Sequence, residues 1–185
     1  MSRALLLSGF FLFLLAGPAL SWAPEGHQVV AAIALRELTP TARARVAALL
    51  GGETVMVLDS SWADEIRDQR PETTGWHYVN IELGSGGYDA ARDCPSGNCV
   101  VAQIERDEKI LSDPRQSKDA KVEALRFLIH FVADLHQPLH AADRQDKGGN
   151  QELVRWGKKR TSLHQIWDQD AIVPHGERAV LQNTL

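Results

Sequence analysis

Residues 119–140 read DAKVEALRFLIHFVADLHQPLH. Asp119 to Gln137 is predicted as the longest and most apolar helix of the chain, stopped or kinked at Pro138, whose ring nitrogen has no proton for the helical ladder. Within it, Leu128-Ile129-His130-Phe131-Val132-Ala133-Asp134-Leu135 sets a histidine and an acid in an otherwise apolar run. Helical residues four apart share a face, offset by about 40°. An ionised carboxylate in a core is costly unless it is paired or holds a metal. His130 and Asp134 therefore either pair with each other or bind an ion. His136 lies about 240° around from His130 and falls off that face. The same spacing recurs from His136 to His140, across Pro138, and from His164 to Asp168 in LHQIWD, residues 163–168. Chance would place His, Asp or Glu four residues after a histidine about once in a chain of this composition.

Outward from this helix the signals remain mostly helical. Pro24 to Leu38 carries Val29, Val30 and Ile33 on one face. Thr39-Pro40 is a cap followed by a first-turn proline, opening a helix that ends at Gly51-Gly52. Ser60-Ser61 is expected to cap a helix that stops near Pro71. Trp76 to Leu83, WHYVNIEL, is the one convincing extended segment. Val100 to Leu111 reads as a helix closed by Pro114, Arg144 to Asn150 as a polar loop containing Gly148-Gly149, and Leu163 to Val173 as a further helix. With no internal repeat and no linker, the expected fold is a single, mostly α domain with little strand.

The chain has 185 residues, 20 Lys+Arg against 24 Asp+Glu, 7 His and 2 Cys. This mildly acidic balance excludes a protein that grips nucleic acid through a broad basic surface. An enzyme that handles phosphates through metal ions stays open. Arg3, the apolar run of residues 4–17 and the step Ala19-Leu20-Ser21 read as a signal peptide over residues 1–21, too short to span a membrane. The expected mature chain runs from Trp22 to Leu185 and is secreted or periplasmic, with no stable membrane association. In an oxidising compartment Cys94 and Cys99, flanking the turn Pro95-Ser96-Gly97-Asn98, suit a disulfide staple. Imidazole and carboxylate are the ligands zinc takes where thiolate is absent. His27 near the mature N-terminus, His77 on the extended segment and Asp64 in Ser61-Trp62-Ala63-Asp64 are further candidates for a multinuclear site.

These pieces resemble, in order, the motifs of the zinc-dependent single-strand-specific nucleases of the S1/P1 family, within the superfamily that also holds zinc phospholipase C. The resemblance runs from Trp22 with Gly26-His27 through Ser61-Trp62-Ala63-Asp64 with Arg67 and Trp76-His77-Tyr78. It continues through His130 to His140 and Gly148-Gly149-Asn150 to Leu163-His164 with Trp167-Asp168. The block from His130 to His140 is its most specific part.

The resemblance implies a mostly helical fold and three zinc ions. One would be held by Asp64, His77, His130 and Asp134. A second would take the α-amino group and carbonyl of Trp22, His27 and Asp134, so that Asp134 bridges two ions. The third would take His140, His164 and Asp168, leaving His136 without a ligand role. Asp64 would also orient the attacking water, and Arg67 would neutralise charge developing on the phosphoryl oxygens. Tyr78 would stack an unpaired base, with Asn150 lining the same cleft. Trp62, Trp76, Trp156 and Trp167 are read as core packing. The implied activity is hydrolysis of single-stranded DNA and RNA, with 3′-nucleotides as further substrates. A phospholipase C-like esterase and a non-catalytic zinc-binding remnant are the alternatives. Only residues 169–185 follow Asp168, whereas the family continues for several helices, so a C-terminally short fold is expected.

Overall fold

The computed structural model describes residues 22–175; the leader read at residues 1–21 lies outside them. In chain order the elements begin with α1 (Pro24–Glu37), α2 (Pro40–Leu50), α3 (Val55–Leu58), a 3-10 turn (Asp59–Ser61), α4 (Trp62–Glu65), a 3-10 segment (Pro71–His77), β1 (Ile81–Glu82) and α5 (Ala90–Asp93). They continue with α6 (Val100–Ser112), α7 (Lys118–His136), α8 (Pro138–Ala141), β2 (Ala142–Asp143), β3 (Leu153–Trp156), β4 (Lys159–Ser162), α9 (Leu163–Gln165) and a π-helical stretch (Ile166–Asp170). The fold is mostly α, as the sequence predicts.

The central element is α7, which supplies both halves of the core. Its Phe127 and Phe131 join Ala63, Val79, Val100 and the Cys94–Cys99 disulfide in one cluster. Its Leu125 and Ile129 join Ala31, Ala32, Met56 and Val57 in the other. On a 3.6-residue helix the stripe of His130 and Asp134 falls between these two apolar faces. The polar pair is thereby carried into the interior by hydrophobic burial on either side of it. α7 ends at His136, and Gln137 turns extended (φ −80°, ψ 116°) before Pro138 opens a new turn. The predicted stop at Pro138 becomes a break between two helices.

Both predicted ends of α2 are found, and Ser117 adds a cap to α7 that the sequence reading does not name. Thr39 Oγ1 accepts the Ala42 N–H, and Ser117 Oγ accepts the Ala120 N–H. Gly51 takes the left-handed conformation (φ 89°) that closes α2. Elsewhere the structure corrects the reading. α1 buries Gly26, His27, Ala31 and Ala32, while Ile33 is 41% exposed, so the face of Val29, Val30 and Ile33 is not the core face. The small alanines let α1 lie close on α3 and α7, which sets its orientation against simple hydrophobicity. Ser60 and Ser61 do not cap a long helix: the Ser60 hydroxyl donates to the Val57 carbonyl, and α4 ends at Glu65.

Trp76 and His77 are 3-10 rather than extended. Pro71 starts the segment, and the Thr73 and Thr74 hydroxyls donate to the Arg70 and Pro71 carbonyls, holding the turns against the β-propensity of WHYV. The chain becomes extended at Tyr78 (φ −150°, ψ 170°) and forms only a two-residue parallel pairing, Ile81 with Ala142 and Glu82 with Asp143. The antiparallel hairpin of β3 and β4, turning at Gly157 (φ 60°), is not anticipated by the sequence reading. Trp156 on it is 47% exposed and Trp167 is 41% exposed, so neither is core. Trp62 and Trp76 do pack edge-on against Phe127.

Candidate metal centre

Seven of the sequence-predicted ligands, His27, His77, His130, Asp134, His140, His164 and Asp168, are buried, and Asp64 is half-buried. Their ligand atoms converge in three groups, each within 4.8 Å: His27, Asp64 and His130; His77, His130 and Asp134; and His140, His164 and Asp168. In the middle of the site His77 Nδ1 lies 3.0 Å from Asp134 Oδ2 and 3.1 Å from His130 Nε2. His130 Nε2 is 3.1 Å from Asp134 Oδ2, and Asp64 Oδ1 is 3.7 Å from each imidazole nitrogen. A tetrahedral zinc site with ligand bonds of about 2.0–2.1 Å has edges of ~3.3 Å. The edges among His77, His130 and Asp134, 3.0–3.1 Å, are close to that spacing, and those from the two imidazoles to Asp64 Oδ1, 3.7 Å, are somewhat longer.

Two backbone carbonyls fix which imidazole nitrogen is the ligand. His130 Nδ1 donates to the Ser60 carbonyl at 2.7 Å, and His164 Nδ1 donates to the Gly148 carbonyl at 2.7 Å. Each ring then presents the Nε2 lone pair inward, the arrangement that orients histidine ligands in metal sites. The Ser60 carbonyl is available because the 3-10 turn at Asp59–Ser61 leaves it outside the helical ladder. Gly148 is placed by Asp143, whose Oδ1 accepts its N–H at 2.9 Å. A Cβ on Gly148 would stand 2.5 Å from the Leu139 carbonyl oxygen, and its φ of 58° is in the left-handed region, so only glycine fits there.

Asp134 is fully buried and sits between all the groups. Its Oδ2 faces His77 and His130, and its Oδ1 lies 3.6 Å from His27 Nε2 and 3.2 Å from His140 Nδ1. A carboxylate with both oxygens turned to different imidazoles is the geometry a bridging ligand needs. Burial pushes its pKa up, but His130, His140 and His77 outweigh this and hold it well below the usual carboxylate range. Burial likewise disfavours charge on His140, yet Asp134 and Asp168 raise it to about 9. His27 and His77 are pushed down, chiefly by burial. The interior field thus favours positive charge near His140 and neutral imidazole at His27 and His77, and neutral imidazole is the form that ligates.

In the third group His164 Nε2 is 3.0 Å from Asp168 Oδ2, and His140 Nε2 is 3.5 Å from Asp168 Oδ1. The His140 and His164 rings stack at 5.1 Å. The donor chemistry, the edge lengths and the tethered tautomers fit zinc.

Around the ligands, Arg67 ion-pairs with Asp64. Tyr78 is 42% exposed directly after His77, with its backbone tied to α6 by the Val100 N–H at 3.0 Å. Asn150 is exposed, its amide donating to the Lys147 carbonyl at 3.0 Å. His136 is exposed and donates to the Val132 carbonyl, away from the groups, as its helical angle predicts. Trp22 packs on Gly26, where a Cβ would meet its ring at 2.6 Å, and the Ala23 N–H donates to the Asp168 carbonyl at 2.8 Å. The start of α1 is thereby fastened to the stretch that carries Asp168. Gln137, which the sequence reading left without a role, is fully buried among the ligands.

The sequence profile of the S1/P1 Nuclease family matches residues 22–184. The chain belongs to the S1/P1 nuclease family. Endonuclease 2 of Arabidopsis thaliana is 35% identical over 163 residues, covering 82% of this chain and 56% of that protein. Nuclease P1 of Penicillium citrinum is 33% identical over 154 residues, covering 80% and 57%. Nuclease S1 of Aspergillus oryzae is 31% identical over 154 residues, covering 80% and 53%. The chain thus spans little more than half the length of these relatives. Among the described residues no helix is long and apolar enough to cross a membrane.

Proposed function

We propose that this chain is an exported zinc-dependent phosphodiesterase that hydrolyses single-stranded DNA and RNA, with 3′-nucleotides as further substrates. The observation that carries the reading is the convergence of imidazole and carboxylate atoms in three groups, with His130 and His164 held by the carbonyls of Ser60 and Gly148. Asp64, His77, His130 and Asp134 would hold one ion. Trp22 (through its α-amino group and carbonyl once residues 1–21 are removed), His27 and Asp134 would hold a second, and His140, His164 and Asp168 a third. Bound zinc supplies Lewis acidity, which acidifies water near neutral pH and offsets negative charge on a phosphoryl group.

The chain's own residues do the rest. Asp64, half-buried, accepts a hydrogen bond from the attacking water and orients its oxygen toward phosphorus. Arg67 beside it balances the added charge on the phosphoryl oxygens. Tyr78 offers an exposed ring on which an unpaired base stacks, and a base inside a duplex cannot present that face. Asn150, exposed beyond Gly149, reaches the same substrate from the loop that fixes His164.

The test is hydrolysis by zinc-loaded protein beginning at Trp22, offered single-stranded DNA, the matching duplex and phosphatidylcholine. Single-strand cleavage lost with chelator and restored by zinc supports the reading. Preference for phosphatidylcholine overturns it in favour of a lipid esterase, and zinc binding without hydrolysis of any of the three marks a non-catalytic zinc protein.

A further inference from the structure

Gln137 is the residue between α7 and α8, fully buried. Its Oε1 accepts the Leu139 N–H at 2.5 Å, and its Nε2 donates to Asp168 Oδ1 at 2.7 Å. One partner can only donate and the other, when ionised, can only accept, so the amide has one permitted orientation. The first bond caps the turn Pro138–Ala141 that carries His140, satisfying an N–H that a new helix leaves unpaired. The second grips the carboxylate that faces His164 Nε2 at 3.0 Å through its other oxygen. Two of the three ligands in this group therefore hang from one side chain, bridging residues 31 apart in sequence.

We propose that Gln137 is a positioning residue for the ion held by His140, His164 and Asp168: its amide sets the His140 turn and the Asp168 carboxylate together. The inference rests on the zinc reading above. Without the amide, Asp168 Oδ1 loses a buried donor and the carboxylate is free to rotate out of register with His164. The His140 turn loses its cap at the same time. Loss of such an outer hydrogen bond weakens metal binding by about 10–100-fold.

The experiment is stepwise zinc competition against a chromophoric chelator on Gln137→Met, which keeps length and volume but neither bond. Gln137→Asn, one methylene too short to reach both partners, is the second variant should the first fail to fold. His164→Ala in the wild-type background identifies the binding step that belongs to this group. The expected result is a 10–100-fold loss confined to that step, with the remaining zinc and the far-UV circular dichroism unchanged. Wild-type affinity at that step in both variants overturns the inference, as does equal weakening of every step. A wild-type protein with no step sensitive to His164→Ala overturns the zinc reading itself, which separates the two failures.

Discussion

Asp134→Asn tests whether one carboxylate serves more than one ion. The substitution preserves shape but turns one oxygen into an NH2 donor. Both oxygens are in use, Oδ2 at 3.0–3.1 Å from His77 and His130 and Oδ1 at 3.2 and 3.6 Å from His140 and His27. Whichever way the amide turns, a donor faces an imidazole nitrogen meant for metal. A structural zinc site of four ligands is worth about 10–16 kcal/mol, hence about 2.5–4 kcal/mol per ligand, or about 10²–10³-fold in affinity. Asp134→Asn should therefore weaken two binding steps by that factor, whereas Asp168→Asn should weaken one. The metal-free protein should also lose about 3–5 kcal/mol, the cost of removing one partner from a buried charge network. The assay is chelator competition with elemental analysis of the dialysed variants, and urea unfolding of the metal-free forms. If Asp134→Asn weakens a single step, no more than Asp168→Asn does, the bridging role is wrong.

Two further outcomes follow from residues outside the ligand set. Asp107 on α6 is 1% exposed, and burial raises its carboxyl from 3.8 to about 7. The folded chain then resists its ionisation, a cost that is absent below about pH 4, grows as pH rises and is complete above 7, reaching at most about 4 kcal/mol. Asp107→Asn should stabilise the protein by about 1–3 kcal/mol at pH 8 and leave it unchanged at pH 4; equal unfolding midpoints at pH 8 would refute this. Tyr78→Ala should raise KM on single strands about 5- to 150-fold, from the loss of about 1–3 kcal/mol of stacking, with zinc content intact. An unchanged KM would remove Tyr78 from the substrate path.

What the sequence makes legible is what local spacing encodes. The steps from His130 to Asp134, within α7, and from His164 to Asp168, across α9 and the π-helical stretch that continues it, are short and local, so a count of four residues places each pair, and α7 itself follows from the same periodicity. The supports of the site are less visible because they join distant segments. Ser60 and Gly148 act through their carbonyls, which no side-chain pattern reports. Gln137 acts across the fold on Asp168, and its only local sign is its place before Pro138, where a cap belongs. Trp76-His77-Tyr78 misleads in a different way. Its residues favour strands, but Pro71 and two threonine hydroxyls hold a 3-10 turn that delivers His77 inward and leaves Tyr78 at the surface. Trp156 and Trp167 show the converse, since large apolar side chains need not be core when their strand or turn lies at the edge of a small domain.

The most direct measurement is zinc per chain, by elemental analysis, on protein processed to begin at Trp22. The proposed ligand sets, Asp64 with His77, His130 and Asp134, Trp22 with His27 and Asp134, and His140 with His164 and Asp168, predict close to three ions per chain. One ion or none would contradict the account.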